Sequence, residues 1–239
     1  MQPMALSHAL LAGAAVLGAL TTYLYVATAI AYRHRDNGLA YILFVLGVGI
    51  WNGLFAAQFL TQNPLVDQFF LSLSMVGGLL AGLGWFLFAA SASSTQRLPG
   101  ARTWYAAGAV AVGIAITTTV TAPVHSFYWV LDLSAPSQLL EINPMVGYWL
   151  HTALFVGLIG GGTSLFADAW RRGVSVPYTR AYTVAGLVTS LAIIGSNLLA
   201  PGGLSVAPLA GVGLATIGWL QAKRWSGWRS IWQRRLVIQ

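Results

Sequence analysis

Four side chains stand out because of where they lie. Asn52, Gln58, His151 and Asn197 interrupt long apolar stretches, where a polar group without a partner is costly and therefore points to function. Two asparagines, a glutamine and an imidazole supply hydrogen-bond donors and acceptors but no fixed charge. That is the chemistry of recognition rather than of bond breaking. Further hydroxyls accompany them: Ser72 and Ser74, Thr117, Thr118, Thr119 and Thr121, and Ser190, which lies seven residues before Asn197 and so on the same helix face. His125 and Trp129 belong to the longest connection, 123–144. In the topology derived below, all of these fall toward one side of a membrane. The expectation is an outward-opening cavity lined by Asn52, Gln58, His125, Trp129, His151 and Asn197 and capped by that connection. The same residues also fit a simpler role, hydrogen bonding between helices.

Other chemistries find little support. The chain has no cysteine, which excludes disulfides, thiolate metal sites and cysteine nucleophiles. Asp67 and Asp168 sit near span ends and the other three acids are in connections, so no deep carboxylate is present for proton or cation pumping. No Ser-His-Asp or paired-carboxylate arrangement stands out, and no glycine pair follows a strand as a phosphate loop would. His151 is suited to bind a ligand, to titrate with external pH, or to ligate a metal or haem; a hydrogen bond to a neighbouring helix is the plainer reading. No histidine pair has i, i+4 spacing. The expectation is a protein that is not an enzyme and holds no metal and no cofactor.

The elements that position these residues follow from hydropathy. The 239 residues are 57% hydrophobic and 7% charged, against about 25% charged in a soluble domain. A span needs about 20 apolar residues, and seven fit: about 6–32, 39–61, 67–92, 104–122, 145–170, 181–200 and 205–222. The first is too long, and lacks the basic start, for a cleaved signal peptide. The twelve Lys and Arg residues alternate with these spans. Connections one, three and five hold two, two and three; connections two, four and six hold none; the tail holds five. Because cytoplasmic connections carry the Lys/Arg excess, the N-terminus is expected outside and the C-terminus inside. The fold class is all-α, an integral bundle of seven transmembrane helices in the cell membrane. Pairs at small-xxx-small spacing, Gly49 and Gly53, Gly78 and Gly82, Gly157 and Gly161, allow close helix packing.

Residues 1–222 form the expected bundle and 223–239 a basic tail. In the tail, Trp225, Trp228, Trp232 and Leu236 recur at helical spacing with Arg229, Arg234 and Arg235 between or beside them. That pattern predicts a short amphipathic helix in the inner interface, facing lipid or a partner; a plain basic tail with aromatic-belt tryptophans is the alternative. The net charge of +7 is matched to anionic lipid rather than to nucleic acid. The chain stops about 15 residues past the last span, so no attached catalytic module is expected. A retinal pigment would need a lysine in mid-span seven; the sole lysine, Lys223, lies at the inner end of that span, which disfavours retinal.

Several stretches resemble the N-terminal seven-transmembrane sensing region of prokaryotic histidine kinases, a family well represented in archaea. Trp51 matches an aromatic of span two, and Trp85-Phe86-Leu87-Phe88 an aromatic cluster near the inner end of span three. Thr121-Ala122-Pro123-Val124-His125-Ser126-Phe127-Tyr128-Trp129 is similar to the family's Thr-Asn-x-x-His-x-x-x-Trp pattern, with Ala122 in place of the asparagine. Asn197 and Ala207-Pro208 also fit. The resemblance implies reception of an extracellular or membrane-borne signal and its transfer to a cytoplasmic kinase or transducer, here without a kinase domain. The alternatives are a small-solute or lipid transporter, and a membrane assembly subunit with no ligand of its own.

Overall fold

The computed structural model describes residues 3–31, 33, 38–61, 63–93, 101–131, 142–174, 178–199 and 206–220. Seven helices run through them: α1 (Pro3–Ala31), α2 (Gly38–Gln58), α3 (Pro64–Ala92), α4 (Ala101–Val120), α5 (Val146–Arg171), α6 (Thr179–Leu199) and α7 (Ala207–Leu220). Within the described residues, α1, α2, α3, α5 and α6 are long and apolar enough to cross a membrane. Two shorter apolar segments, Gly108–Val120 and Ala207–Leu220, belong to α4 and α7. The expected tail helix at 223–239 lies outside the described residues.

Local signals set the helix ends. Pro64 opens α3, and the Asn63 side chain accepts from the Leu65 amide at 3.0 Å, which satisfies a donor that has no partner inside the helix. α5 ends on Gly173 at φ +66. There the Gly173 amide donates to Trp170 and the Val174 amide to Ala169, the paired bonds of a Schellman motif that only a residue tolerant of left-handed φ closes without strain.

Side-chain contacts give the helix directions. α2 and α3 meet where Phe44 faces Gly84, Gly47 faces Ala81 and Trp51 faces Gly77. One number rises as the other falls, so the helices are antiparallel. A Cβ on Gly77 would sit 2.6 Å from the Trp51 amide nitrogen, and Cβ atoms on Gly47 and Gly84 would overlap the backbones of Ala81 and Phe44. Glycine there lets the two backbones touch. By the same reasoning α5 and α6 are antiparallel, with Phe166 stacked on Tyr182 at 4.6 Å and Tyr148 bonded to Asn197. α3 and α5 are parallel: Gly78 faces Phe155, Trp85 faces Ile159, and Phe86 faces Gly161. α7 runs parallel to α1, through Tyr25 with Thr216 and Thr28 with Trp219, and antiparallel to α2, through Asn52 with Pro208 and Tyr41 with Ala215. The helices paired in this way alternate in direction, and among the described residues Arg33, Arg171, Arg172 and Arg180 share one end.

The expected pairs of small residues divide by partner. Gly49 and Gly53 face Tyr23 and Ala19 of α1, Gly78 and Gly82 face Phe155, Gly161 faces Phe86, and Gly157 meets nothing within 4 Å. Within the connection 123–144, expected as a loop, the described residues 123–131 and 142–144 include regular structure. A 3-10 turn, Ala122–Val124, leads to strand β1 (Trp129–Leu131), which pairs antiparallel with β2 (Ile142–Pro144) in the register Trp129 to Pro144 and Leu131 to Ile142. This hairpin caps the end of the bundle opposite the basic residues. Many large apolar side chains face outward, among them Leu17, Leu24, Leu187, Leu191 and Leu198. An outer surface of this kind is stable in lipid, and the protein is a multi-pass membrane protein.

Candidate functional site: a cavity beneath the hairpin

The hairpin sits on the bundle through a small core of its own. Leu71, Ala122, Tyr128, Trp129, Ile142 and Tyr148 are buried together. Tyr128 reaches furthest. Its ring meets the His151 ring edge-on at 5.8 Å, and its hydroxyl lies 2.8 Å from Thr119 Oγ1, 3.2 Å from Thr118 Oγ1 and 3.5 Å from His151 Nδ1. Thr119 Oγ1 is also 3.2 Å from His151 Nδ1, and the Met75 carbonyl is a further hydrogen-bond partner of the imidazole. One imidazole thus joins α3, α4, α5 and the hairpin. Of the four threonines near the end of α4, only Thr119 is buried.

Below this network lies a cavity of about 60 Å³ whose walls include Trp51, Gln58, Met75, His151, Phe155 and Asn197. Leu71 and Tyr148 line it too, so the hairpin core and the cavity share a wall. Trp51 meets Phe155 edge-on at 5.0 Å, and Ser74 Oγ donates to the Trp51 carbonyl at 3.2 Å. The Tyr148 hydroxyl donates to Asn197 Oδ1 at 2.6 Å, which ties α5 to α6. Gln58 is different. It is 5% exposed, and its Nε2 is enclosed without a hydrogen-bond partner. A buried donor left unmade costs about 1–3 kcal/mol.

The structure brings three of the six expected residues, Gln58, His151 and Asn197, to this cavity. The other three have different surroundings. Asn52 is fully buried and its Nδ2 donates to the carbonyls of Val48 and Pro208, both at 2.9 Å. It therefore ties α7 to α2, because its helix face points to α1 and α7. His125 caps the end of the 3-10 turn, with Thr121 Oγ1 at 3.1 Å from Nε2 and the Phe127 amide donating to Nδ1 at 3.3 Å. Trp129 is buried in the hairpin core, one layer above the cavity. Ser190 Oγ turns back onto the Gly186 carbonyl of its own helix at 2.9 Å.

The residues missed were Tyr128 and Tyr148. Each pairs an apolar ring with a hydroxyl that reaches a polar group in the bundle, a combination readable from an aromatic beside an apolar span. Trp129, next in the run, carries the hairpin core instead.

A second aromatic cluster lies further along α3 and α5, toward the basic end. Trp85 is fully buried among Phe44, Phe88, Phe166 and Tyr182, with ring centroids 5.1 to 6.3 Å away. Its Nε1 donates to the Ile159 carbonyl at 3.1 Å. At that end Arg172 pairs with Asp168 at 2.7 Å, both about half exposed, and Arg180 lies over the Trp170 ring at 5.2 Å.

The chain matches the family described as the N-terminal 7TM region of histidine kinase over residues 9–221. No curated protein and no solved structure matches it. The match spans all seven helices, the hairpin and the cavity, and the chain belongs to this family of N-terminal seven-transmembrane regions of histidine kinases.

Proposed function

We propose that this protein is a membrane sensor. It detects an extracellular or membrane-borne signal at the cavity beneath the hairpin and passes it to a kinase or transducer in the cytoplasm. One observation carries the reading: His151 holds the hairpin, α3 and α4 together at the wall of a cavity that also contains an unpartnered Gln58 amide. An occupant that moved this wall would shift the balance between two arrangements of the hairpin on the bundle. The α3–α5 seam supports the transfer step. From the cavity it runs through Phe155 against Gly78 and Gly82, then Ile159 bonded to Trp85, then Phe166 stacked on Tyr182. That end is flanked by Arg33, Arg102, Arg171, Arg172 and Arg180. The positive-inside rule supports a cytoplasmic position for it and an external one for the hairpin.

Sidedness tests the reading. The chain has no cysteine, so single cysteines report without background. Ser126→Cys, at an exposed position between the 3-10 turn and β1, is expected to react with an impermeant maleimide on intact cells. Arg171→Cys is expected to react only after permeabilisation. The reverse pattern would place the cavity on the cytoplasmic side and end the proposal.

A further inference from the structure

The cavity wall also specifies the chemistry of its occupant. Among the described residues no Asp, Glu, Lys or Arg lines it, so an ion entering would lose its hydration without meeting a counter-charge from them. Phe55, Leu71, Met75 and Phe155 make one part of the wall apolar. Most polar groups there are already committed. Ser74 donates to the Trp51 carbonyl, His151 Nδ1 faces Thr119 and Tyr128, and Asn197 Oδ1 accepts from Tyr148. The donors left to offer are the enclosed Nε2 of Gln58, the Thr152 hydroxyl and, beside the occupied oxygen of Asn197, its Nδ2. A space of about 60 Å³ holds a group of a few heavy atoms, since one water needs about 10–15 Å³.

We propose that the cavity binds a neutral carbonyl group, with Gln58 Nε2 donating to its oxygen and the flanking carbons against Leu71 and Phe155. Resting on the sensor reading, this names the ligand chemistry of that site. The carbonyl belongs either to a small free compound or to the ester linkage of a lipid.

The test is saturation-transfer NMR on the full chain in nanodiscs of ether-linked lipid, which contain no lipid carbonyl. Acetone is the probe and acetate its charged isostere. Acetone is expected to bind saturably and acetate not. Gln58→Leu, which replaces an unpartnered buried donor by an apolar group of similar size, is expected to fold and to weaken acetone binding about tenfold or more. Gln58→Met serves as an independent second variant. Changing to ester-linked lipid separates the sources: a fall in apparent acetone affinity assigns the site to the lipid carbonyl, and no fall assigns it to a free compound. The proposal is overturned if acetone shows no saturable signal (water alone filling the space), if acetate binds comparably, or if the Gln58 variants bind acetone as the native chain does. Because binding alone is read, such a failure removes the ligand class and leaves the sensor reading to its sidedness test.

Discussion

The Tyr128 hydroxyl is a single polar atom on which α4, α5 and the hairpin converge. Tyr128→Phe keeps the ring in the hairpin core and removes only the hydroxyl's bonds to Thr118, Thr119, His151 and the Ala115 carbonyl. Interhelical hydrogen bonds in membranes contribute about 0.6 kcal/mol on average and up to about 1.7. The variant is expected to lose about 1 kcal/mol, read as a lower midpoint for SDS-induced unfolding in mixed micelles. An unchanged midpoint would mean that the network contributes nothing to holding the hairpin. The polar residues of this site were legible because each interrupts an apolar run. Their grouping was not, because it depends on how each helix is rotated about its axis. Asn52 and Gln58 are six residues apart on α2 and face different neighbours. Ala122, where the family pattern has asparagine, is 1% exposed in the hairpin core; its place there is apolar packing.

Among the elements, the closest approach is the α2–α3 seam. Gly84→Ala would drive a Cβ into the Phe44 backbone, which cannot yield as a flexible side chain would. Overpacking of this kind costs about 1–3 kcal/mol, and the substitution is expected to lower the same SDS midpoint strongly. Gly157→Ala is the matched control. Nothing lies within 4 Å of its added methyl, and alanine is the better helix former by about 0.5–1 kcal/mol, so stability should hold or rise. Equal losses in both variants would contradict the packing described. Small-residue spacing announced close helix contacts in general. It did not single out Gly47 on α2, nor Gly77 and Gly84 on α3, which are seven residues apart rather than four. The hairpin was hidden for a different reason: three-residue strands inside a proline-containing connection are too short to show an alternating pattern.

For the whole molecule, alternation of the basic residues and alternation of helix direction are two views of one arrangement. The odd-numbered neighbours α3 and α5 are parallel, as are α1 and α7, which puts Arg33, Arg102, Arg171, Arg172 and Arg180 at one end and the hairpin at the other. That much was legible from charge and hydropathy, because lipid restricts a spanning chain to helices and basic residues are costly to carry across. What hydropathy could not show is the continuous α3–α5 seam joining the two ends, since it exists only in side-chain contacts. In the proposed mechanism that seam transmits a change at the cavity. The direct measurement is hydrogen–deuterium exchange in nanodiscs, comparing the native chain with His151→Ala. Altered exchange is predicted both around residues 119–130, where the hairpin loses its anchor, and at the far ends of α3 and α5, residues 88–93 and 168–174. Exchange altered only around the hairpin, with both far ends unchanged, would contradict it.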